Sequence, residues 1–182
     1  MDRVRLIKTS KYLSKHLRHD PGGLGLTLDV GGWVAVDALL AACQRKGVHI
    51  SRADLDAVVA ENDKQRFSFD AKGTRIRANQ GHSVEVDLQL QAVAPPPLLY
   101  HGTGHVTADV IERDGLRKMR RHHVHLSTDV PTAIRVGARH GKPVIFEVDS
   151  AGMHRDGFEF FCSENGVWLV DEVPPKYLRR TP

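Results

Sequence analysis

Three consecutive prolines, Pro95 to Pro97, constrain the fold of this chain more than any other feature. Proline has no backbone N–H and holds φ at about −65°, so such a run can continue neither a helix nor a central strand. It favours an extended, semi-rigid spacer. We therefore interpret the segment 91–98 as the boundary between two lobes, residues 1–92 and residues 93–182. A rigid surface loop inside a single domain is the alternative.

The composition is that of a folded protein with a small positive excess. Hydrophobic residues make up 41% of the 182 residues and charged residues 26%, which argues against disorder. The net charge of +4 tolerates a polyanionic partner without requiring one.

No apolar run approaches the roughly 18–20 residues of a membrane span, and the amino terminus lacks the apolar core of a secretory signal. Cys43 and Cys162 form no CxxC pair. We expect a cytoplasmic protein without disulfides.

The first lobe shows helix and strand signals in the order of a winged-helix domain. Thr9 or Ser10 can cap a helix that runs to His19, and Asp37 can cap a later one. Ser51, with Asp54 three residues on, is typical of a capping box. The remaining predictions are a short strand over 33–36, helices over 38–46 and from 51 to about 61, and a hairpin with strands over 66–69 and 75–77.

The second lobe has more strand signals than helix signals. We predict strands over 98–100, 124–126, 144–148 and 167–169, and helices over 107–114 and 130–140. This pattern indicates an α+β lobe built on a mostly antiparallel sheet.

Several common kinds of site are excluded by their missing motifs. The chain has no P-loop, no GxSxG and no HExxH, and the glycines at 22, 23 and 25 do not open a helix after a strand. Of the eleven histidines, the densest run is 122–125. No nearby cysteine or carboxylate completes a tetrahedral set there, so we expect no metal.

Cationic side chains at the edges of the first lobe's elements form one candidate site. Arg18 and His19 end the first helix, and Lys64 and Arg66 lie two residues apart, so they share a face if the strand begins there. Guanidinium groups match phosphate oxygens bidentately, whereas lysine supplies a point charge. Together these groups would make a compact cationic pocket for a phosphate; solvated surface charges are the alternative, and for any one of these residues alone the favoured one.

A second candidate site follows the proline run. His101 and Thr103 can donate or accept hydrogen bonds at a strand end, and Gly102 allows close backbone approach, which suits a ribose or a phosphate. His125 and Ser127 share one face of a later strand. The alternative for His101 and His125 is a pair of hydrogen-bonded core histidines.

Taken together, these segments resemble the tRNA 2′-phosphotransferase family of NAD-dependent enzymes, which remove an RNA 2′-phosphate left by splicing ligation. The segments occur in family order and cover nearly the whole chain. They are Leu17-Arg18-His19, residues 62–67 (NDKQRF), 76–83 (IRANQGHS), 100–103 (YHGT), 121–127 (RHHVHLS), 166–169 (GVWL) and 173–175 (VPP).

The resemblance implies a winged-helix amino-terminal lobe and a carboxyl-terminal lobe of the ADP-ribosyltransferase type that holds NAD as a co-substrate. It implies an RNA substrate that carries a 2′-phosphate, such as a tRNA; no obligate protein partner is evident. By resemblance the catalytic residues are Arg18, His19, Arg66 and Arg121, assisted by Lys64. The residues implied to line the NAD pocket are His101, Gly102, Thr103, His125, Ser127 and Val167. Asn79, Gln80 and His82 are implied to contact RNA or the lobe interface.

Two other functions remain open on the sequence. One is an ADP-ribosyltransferase that modifies phosphorylated nucleic-acid ends and stops after the first chemical step. The other is a winged-helix RNA-binding protein without catalysis, which leaves the second lobe unexplained.

Overall fold

The computed structural model describes residues 2–61 and 65–181. The chain divides into two compact units, Met1–Gln89 and Leu90–Pro182, and each unit has its own hydrophobic core. The described strands form four small sheets, and every strand pair in them is antiparallel. The prediction of a mixed fold with mostly antiparallel sheet is therefore confirmed.

Unit 1 packs three helices against one three-stranded sheet. The strand order is β1-β3-β2, with Val34 opposite Ile76 and Phe67 opposite Ala78. These four side chains are buried together with leucines of the helices. The elements are α1 (Arg3–Arg18), a 3-10 turn (Gly22–Leu24), β1 (Trp33–Ala35), α2 (Val36–Arg45), α3 (Arg52–Ala60), β2 (Phe67–Phe69) and β3 (Arg75–Ala78).

The first helix begins earlier than the sequence predicted. Asp2 is its N-cap, and its carboxylate accepts a hydrogen bond from the Arg5 N–H at 2.8 Å. The predicted caps, Thr9 and Ser10, lie inside the helix on its buried face. The prediction was wrong because serine and threonine also occupy helix interiors where their side chains pack or find partners.

The other predicted boundaries in unit 1 had mixed outcomes. Helix α2 begins at Val36, so Asp37 lies in its first turn and is not the cap; there its negative charge faces the positive end of the helix dipole. The capping box at Ser51 and Asp54 is confirmed, and its hydrogen bonds lower the pKa of Asp54. The predicted hairpin is confirmed as β2 and β3, although β2 begins at Phe67 and not at Arg66.

Unit 2 contains the other three sheets. Their strand orders are β11-β7-β4, β6-β9-β8 and β10-β5. The elements are β4 (Leu99–Gly104), α4 (His105–Asp114), β5 (Leu116–Arg117), β6 (Val124–Leu126), α5 (Val130–Gly137), a 3-10 turn (Ala138–His140), β7 (Pro143–Val148), α6 (Ser150–Arg155), β8 (Phe160–Cys162), β9 (Trp168–Val170), β10 (Glu172–Val173), a 3-10 turn (Pro175–Tyr177) and β11 (Leu178–Arg180).

The proline run is bonded to the rest of unit 2. The carbonyl oxygen of Pro96 accepts from Ser150 Oγ at 2.7 Å, and that of Pro97 accepts from the Ala151 N–H at 3.2 Å. Earlier in the segment, the Val93 N–H donates to the Phe160 carbonyl at 2.8 Å. The segment therefore lies along α6 and β8, two short elements that the sequence analysis missed.

Two further properties bear on the sequence predictions. Both cysteines are free thiols, and burial raises the pKa of each. Among the helices of the described ranges, none combines the length and apolar character needed to cross a bilayer.

Candidate functional site

Two predicted arginines of unit 1 lie side by side. Arg18 is the last residue of α1, and its Nη2 donates to the carbonyl oxygen of Arg66 at 3.5 Å. The Arg66 guanidinium in turn donates from Nη1 to Ser10 Oγ at 3.1 Å. Arg18 therefore lies at the carboxyl end of α1, where the helix dipole favours positive charge, whereas the Arg66 guanidinium is bonded about two helical turns earlier, at Ser10.

Asn79 fixes the backbone just before β2. Its N–H donates to the Arg66 carbonyl at 2.9 Å, and its side-chain Nδ2 donates to the Gln65 carbonyl at 2.7 Å. Gln65 has a φ of 40°, in the left-handed region that a residue with a Cβ adopts only at a cost. The amide of Asn79, which is only 5% exposed, therefore supports a strained backbone beside a predicted catalytic residue.

His19 is oriented by the segment that follows β3. His19 Nδ1 lies 2.9 Å from Ser83 Oγ. The Ser83 N–H also donates to the Arg18 carbonyl at 2.9 Å, which satisfies one of the carbonyl oxygens that a helix end leaves without a partner in the helix. The imidazole is thereby held at the end of α1, through a serine that also bonds the backbone of Arg18.

The three residues implied to contact RNA differ in exposure. Asn79 and His82 are buried, at 5% and 1% exposed, whereas Gln80 is partly exposed. The contacts of Asn79 are with backbone of its own unit. RNA contact by these three residues stays a prediction. Lys64 lies outside the described residues.

In unit 2, His101 and His125 are joined through one hydrogen bond. His101 Nδ1 donates to the carbonyl oxygen of His125 at 3.1 Å. Because a carbonyl oxygen only accepts, the neutral His101 ring carries its hydrogen on Nδ1 and leaves Nε2 as an acceptor. Burial lowers the pKa of His101; the bond to the His125 carbonyl opposes this, and the Arg121 charge adds to it. His101 is therefore neutral at pH 7.

Arg121 lies against the same pair of histidines. Its Nη1 is 3.4 Å from His125 Nδ1, and because a guanidinium only donates, His125 Nδ1 is the acceptor. Of the Arg120-Arg121 doublet, Arg121 is thus the arginine in contact with a predicted site residue. The arrangement offers an acceptor nitrogen on His101 and a cationic donor on Arg121.

Ser127 and Val167 are placed by backbone contacts. Ser127 and Tyr100 exchange two backbone hydrogen bonds of 2.8 Å, which join the end of β6 to β4. The Val167 N–H donates to Ser163 Oγ at 3.1 Å, and its carbonyl accepts from the Ser163 N–H at 3.0 Å. Val167 therefore directly precedes β9, and both of its backbone polar groups are bonded to Ser163.

Gly102 and Thr103 have packing roles that the sequence did not indicate. A Cβ on Gly102 would lie 1.7 Å from the carbonyl oxygen of Ala133, so the close backbone approach expected here is made to helix α5. The Thr103 hydroxyl lies 2.7 Å from that of Thr107 in α4. Contact of either residue with NAD stays a prediction.

The chemistry of these side chains fits a dinucleotide. An imidazole acceptor suits a ribose hydroxyl, and a guanidinium suits a phosphate. Across residues 2–61 and 65–181, no three His, Cys, Asp or Glu side chains are placed to hold a metal ion.

The sequence analysis did not identify two of the supporting residues. Ser10, which the sequence predicts to be a helix cap, accepts from Arg66, and Ser83, which the sequence places only within the segment 76–83, is the partner of His19. Each contact joins positions more than fifty residues apart, so no local pattern could have indicated it.

Comparison with known proteins agrees with these observations. The family model described as "RNA 2'-phosphotransferase, Tpt1 / KptA family" matches residues 4–172. Two proteins, each named "Probable RNA 2'-phosphotransferase", are similar over nearly their whole length. The one from Trichormus variabilis is 65% identical and the one from Nostoc punctiforme 62% identical; the matches cover 98% and 99% of this chain and the same shares of the two relatives.

A more distant relative gives the same result. A protein of the same name from Streptomyces coelicolor is 58% identical over 98% of this chain and 97% of its own length. With a family model that matches most of the chain and relatives of this similarity, the chain is an enzyme of the transferase class and belongs to the RNA 2′-phosphotransferase family, Tpt1/KptA.

Proposed function

We propose that this protein is an NAD-dependent RNA 2′-phosphotransferase, which moves an internal RNA 2′-phosphate to NAD. The observation that most supports the proposal is the Arg18–Arg66 contact at the end of α1, next to His19. Two guanidinium groups and an imidazole suit a phosphate monoester, because each guanidinium can donate two parallel hydrogen bonds to its oxygens. Unit 1, which we interpret as a winged-helix lobe, then supplies the groups for the RNA 2′-phosphate.

Unit 2 would supply the NAD-binding groups, as expected of an ADP-ribosyltransferase-type lobe. The acceptor Nε2 of the neutral His101 suits a ribose hydroxyl, and the Arg121 guanidinium suits a phosphate oxygen. His125 holds both residues, one through its carbonyl oxygen and the other through Nδ1. Gly102, Thr103, Ser127 and Val167 complete the proposed pocket.

In the first step, a 2′-phosphate oxygen attacks the anomeric carbon of the nicotinamide ribose. The carbon–nitrogen bond breaks, neutral nicotinamide leaves, and an ADP-ribosylated RNA phosphate forms. The phosphate is already ionised near neutral pH, so the step needs no general base. The protein's contribution is to orient the two reactants. An apolar side chain at Val167, where many ADP-ribosyltransferases carry a glutamate, is consistent with this.

In the second step, the 2″-hydroxyl of the transferred ribose attacks the phosphorus. The bond between phosphorus and the RNA 2′-oxygen breaks, which gives RNA with a 2′-hydroxyl and ADP-ribose 1″,2″-cyclic phosphate. Negative charge develops on the phosphoryl oxygens in the transition state, and fixed guanidinium groups stabilise it. We assign this role to Arg18, Arg66 and Arg121, with help from Lys64, and His19 is the candidate for proton transfer.

The experiment that tests the proposal follows both steps with one label. An RNA oligonucleotide with a radiolabelled internal 2′-phosphate is incubated with the protein and NAD. We expect nicotinamide release, a transient labelled RNA of lower mobility, and then transfer of the label to ADP-ribose cyclic phosphate. Omission of NAD is the matched control and should leave the label on unmodified RNA.

The alternative functions predict different products. An enzyme that only ADP-ribosylates phosphorylated ends would leave the label on modified RNA. An RNA-binding protein without catalysis would release no nicotinamide. Either result would contradict the proposed reaction.

A further inference from the structure

Helix α1 carries six cationic residues and no acidic one. Most helices on a protein surface mix both signs of charge, whereas the sequence of α1, RVRLIKTSKYLSKHLR, contains three arginines and three lysines without a glutamate or aspartate. Its buried side is formed by Thr9, Ser10, Leu13, His16 and Leu17. Five of the six cations are exposed, and only Arg18, at the end of the helix, is partly buried.

The three lysines of α1 lie on one face. Lys8, Lys11 and Lys15 are spaced i, i+3 and i+7, which places them in a row along a helix, and all three are exposed. At a rise of about 1.5 Å per residue, the row is about 10 Å long. The next position in the same row is His19, four residues after Lys15. The row thus leads toward Arg18 and His19, which we propose to lie at the RNA 2′-phosphate.

No carboxylate neutralises this row among residues 2–61 and 65–181. Arg5, elsewhere on the helix, is paired with Asp54 at 2.9 Å, but Lys8, Lys11 and Lys15 take part in none of the ion pairs formed by the described residues. Like charges at i,i+4 destabilise a helix, and Lys11 and Lys15 are four residues apart. A bound polyanion would convert this repulsion into attraction.

We propose that the Lys8–Lys11–Lys15 face binds the phosphodiester backbone of the RNA that flanks the 2′-phosphorylated nucleotide. The inference rests on the proposed function, because it takes Arg18 and His19 to lie at the 2′-phosphate. Lys15 lies about one helical turn before His19. An RNA strand that runs from the 2′-phosphate along α1 would therefore meet the ammonium groups of Lys15, Lys11 and Lys8 in succession. Lysine is a strongly hydrated point charge that suits phosphate contacts without reading sequence.

The surroundings of the row favour RNA over a membrane surface. A helix that lies in a membrane interface buries its apolar side in lipid. In α1 the apolar side, which includes Leu13 and Leu17, is fully buried in the core of unit 1. Only Val4 and Ile7 remain as exposed apolar side chains on this helix. The exposed face is therefore mainly cationic and offers little apolar surface to a bilayer.

The expected effect follows from counterion release. For single-stranded nucleic acid, the logarithm of the binding constant falls with the logarithm of the salt concentration, with a slope of about −0.7 per phosphate contact. At 0.1 M salt, one contact therefore raises the binding constant about five-fold. Loss of three contacts should therefore lower the affinity for RNA about 100-fold and reduce the steepness of its salt dependence by about 2. The effect should appear only with RNA long enough to reach the lysines.

The test compares two triple variants of equal charge change. Lys8→Gln/Lys11→Gln/Lys15→Gln removes the row and keeps helix propensity, since glutamine and lysine are similar helix formers. Lys46→Gln/Lys72→Gln/Lys142→Gln removes three exposed lysines elsewhere and serves as the control. Fluorescence anisotropy gives the Kd of each protein for a 2′-phosphorylated 12-nucleotide RNA and a 2′-phosphorylated dinucleotide at several salt concentrations. Thermal unfolding checks that both variants are folded.

We expect the α1 variant to lose about 100-fold in affinity for the 12-nucleotide RNA, to bind the dinucleotide like the wild type, and to show the reduced salt slope. The control should lose less than five-fold. Equal losses in both variants, an equal loss for the dinucleotide, or no loss at all would overturn the proposal. So would a loss of binding to phosphatidylserine vesicles without a loss of RNA binding.

Turnover separates this inference from the proposed function. If the wild type fails to release nicotinamide from NAD with the 2′-phosphorylated dinucleotide, the proposed function fails. The length-dependent anisotropy result does not depend on turnover and decides the role of the lysine row by itself.

Discussion

The guanidinium of Arg18 donates from Nη2 to the backbone carbonyl oxygen of Arg66 at 3.5 Å, which ties the end of α1 to the residue that precedes β2. Arg66 is held a second time, because its own guanidinium donates to Ser10 within α1. The two arginines therefore share one small region of unit 1, and a change in either one alters the surroundings of the other.

Replacing Arg66 should slow the second chemical step more than the first. In Arg66→Ala, the loss of a fixed guanidinium removes stabilisation of charge on the phosphoryl oxygens, at a cost on the order of 10²–10³ in rate by analogy with oxyanion donors. The ADP-ribosylated RNA should accumulate, and more so in Lys64→Ala/Arg66→Ala. Rapid-quench assays with labelled 2′-phosphate RNA measure both steps. Equal loss of both steps, with no intermediate on the gel, would contradict this division of roles.

Two milder variants serve as controls for that experiment. Arg66→Lys keeps the charge but loses the planar fork, so its second step should lie between the wild type and Arg66→Ala. Ser10→Ala removes one acceptor of Arg66 and leaves the guanidinium in place. It should slow the second step by less than ten-fold.

Asn79 should act on the reaction through Arg66. Its amide holds the backbone of Gln65 and its N–H holds that of Arg66, so Asn79→Ala should let Arg66 move and slow the second step by about ten-fold. In a double-mutant cycle, Asn79→Ala should slow the second step little further when Arg66 is already alanine, because the guanidinium that Asn79 positions is then gone. Additive losses would instead indicate direct contact of Asn79 with RNA.

Local sequence patterns predicted some parts of the fold well, for identifiable reasons. The capping box joins Ser51 and Asp54, which are three residues apart. The turn between β2 and β3 is formed by Asp70 and by Gly73, which has a φ of 67°. Two backbone N–H groups, from Thr74 and Arg75, donate to the Asp70 carboxylate, which with the Arg75 side chain lowers its pKa to about 2. Interactions of this range can be predicted from the sequence.

Other parts depend on contacts that no local pattern contains. Ser10 has the residue type of a helix cap, but its partner is Arg66, 56 residues away, and Asp2 caps the helix instead. The strands β5 and β10, which within residues 2–61 and 65–181 pair only with each other, are two residues long and therefore too short to show periodicity. In the candidate site, the residue types were predictable, whereas the proton positions on His101 and His125 follow from their partners.

Adding one methyl group at Gly102 should destabilise unit 2. A Cβ there would lie 1.7 Å from the Ala133 carbonyl oxygen, so β4 and α5 must separate, and such overpacking costs about 1–3 kcal/mol or more. Gly102→Ala should therefore lower the midpoint of denaturant unfolding. Gly22→Ala is the matched control, because nothing lies within 4 Å of its added Cβ. An unchanged midpoint for Gly102→Ala would show that the strand and helix separate without cost.

The free energy of unfolding of unit 2 should fall as the pH is lowered, because the folded unit disfavours protonation of His101. Its pKa is lowered from 6.5 in the folded state, mainly by burial, so as the pH falls the unfolded chain takes up a proton before the folded one does. The stability that the neutral ring contributes is therefore present above about pH 6.5 and is lost as the pH falls toward the folded pKa, at no more than about 1.4 kcal/mol per pH unit. His101→Asn removes the titration and keeps a side-chain N–H for the His125 carbonyl. Urea unfolding between pH 5 and 8 should give a shallower dependence on pH for this variant. Some slope should remain, because burial also lowers the pKa of His123. Identical slopes in the two proteins would mean that His101 is protonated at the same pH in the folded and unfolded states.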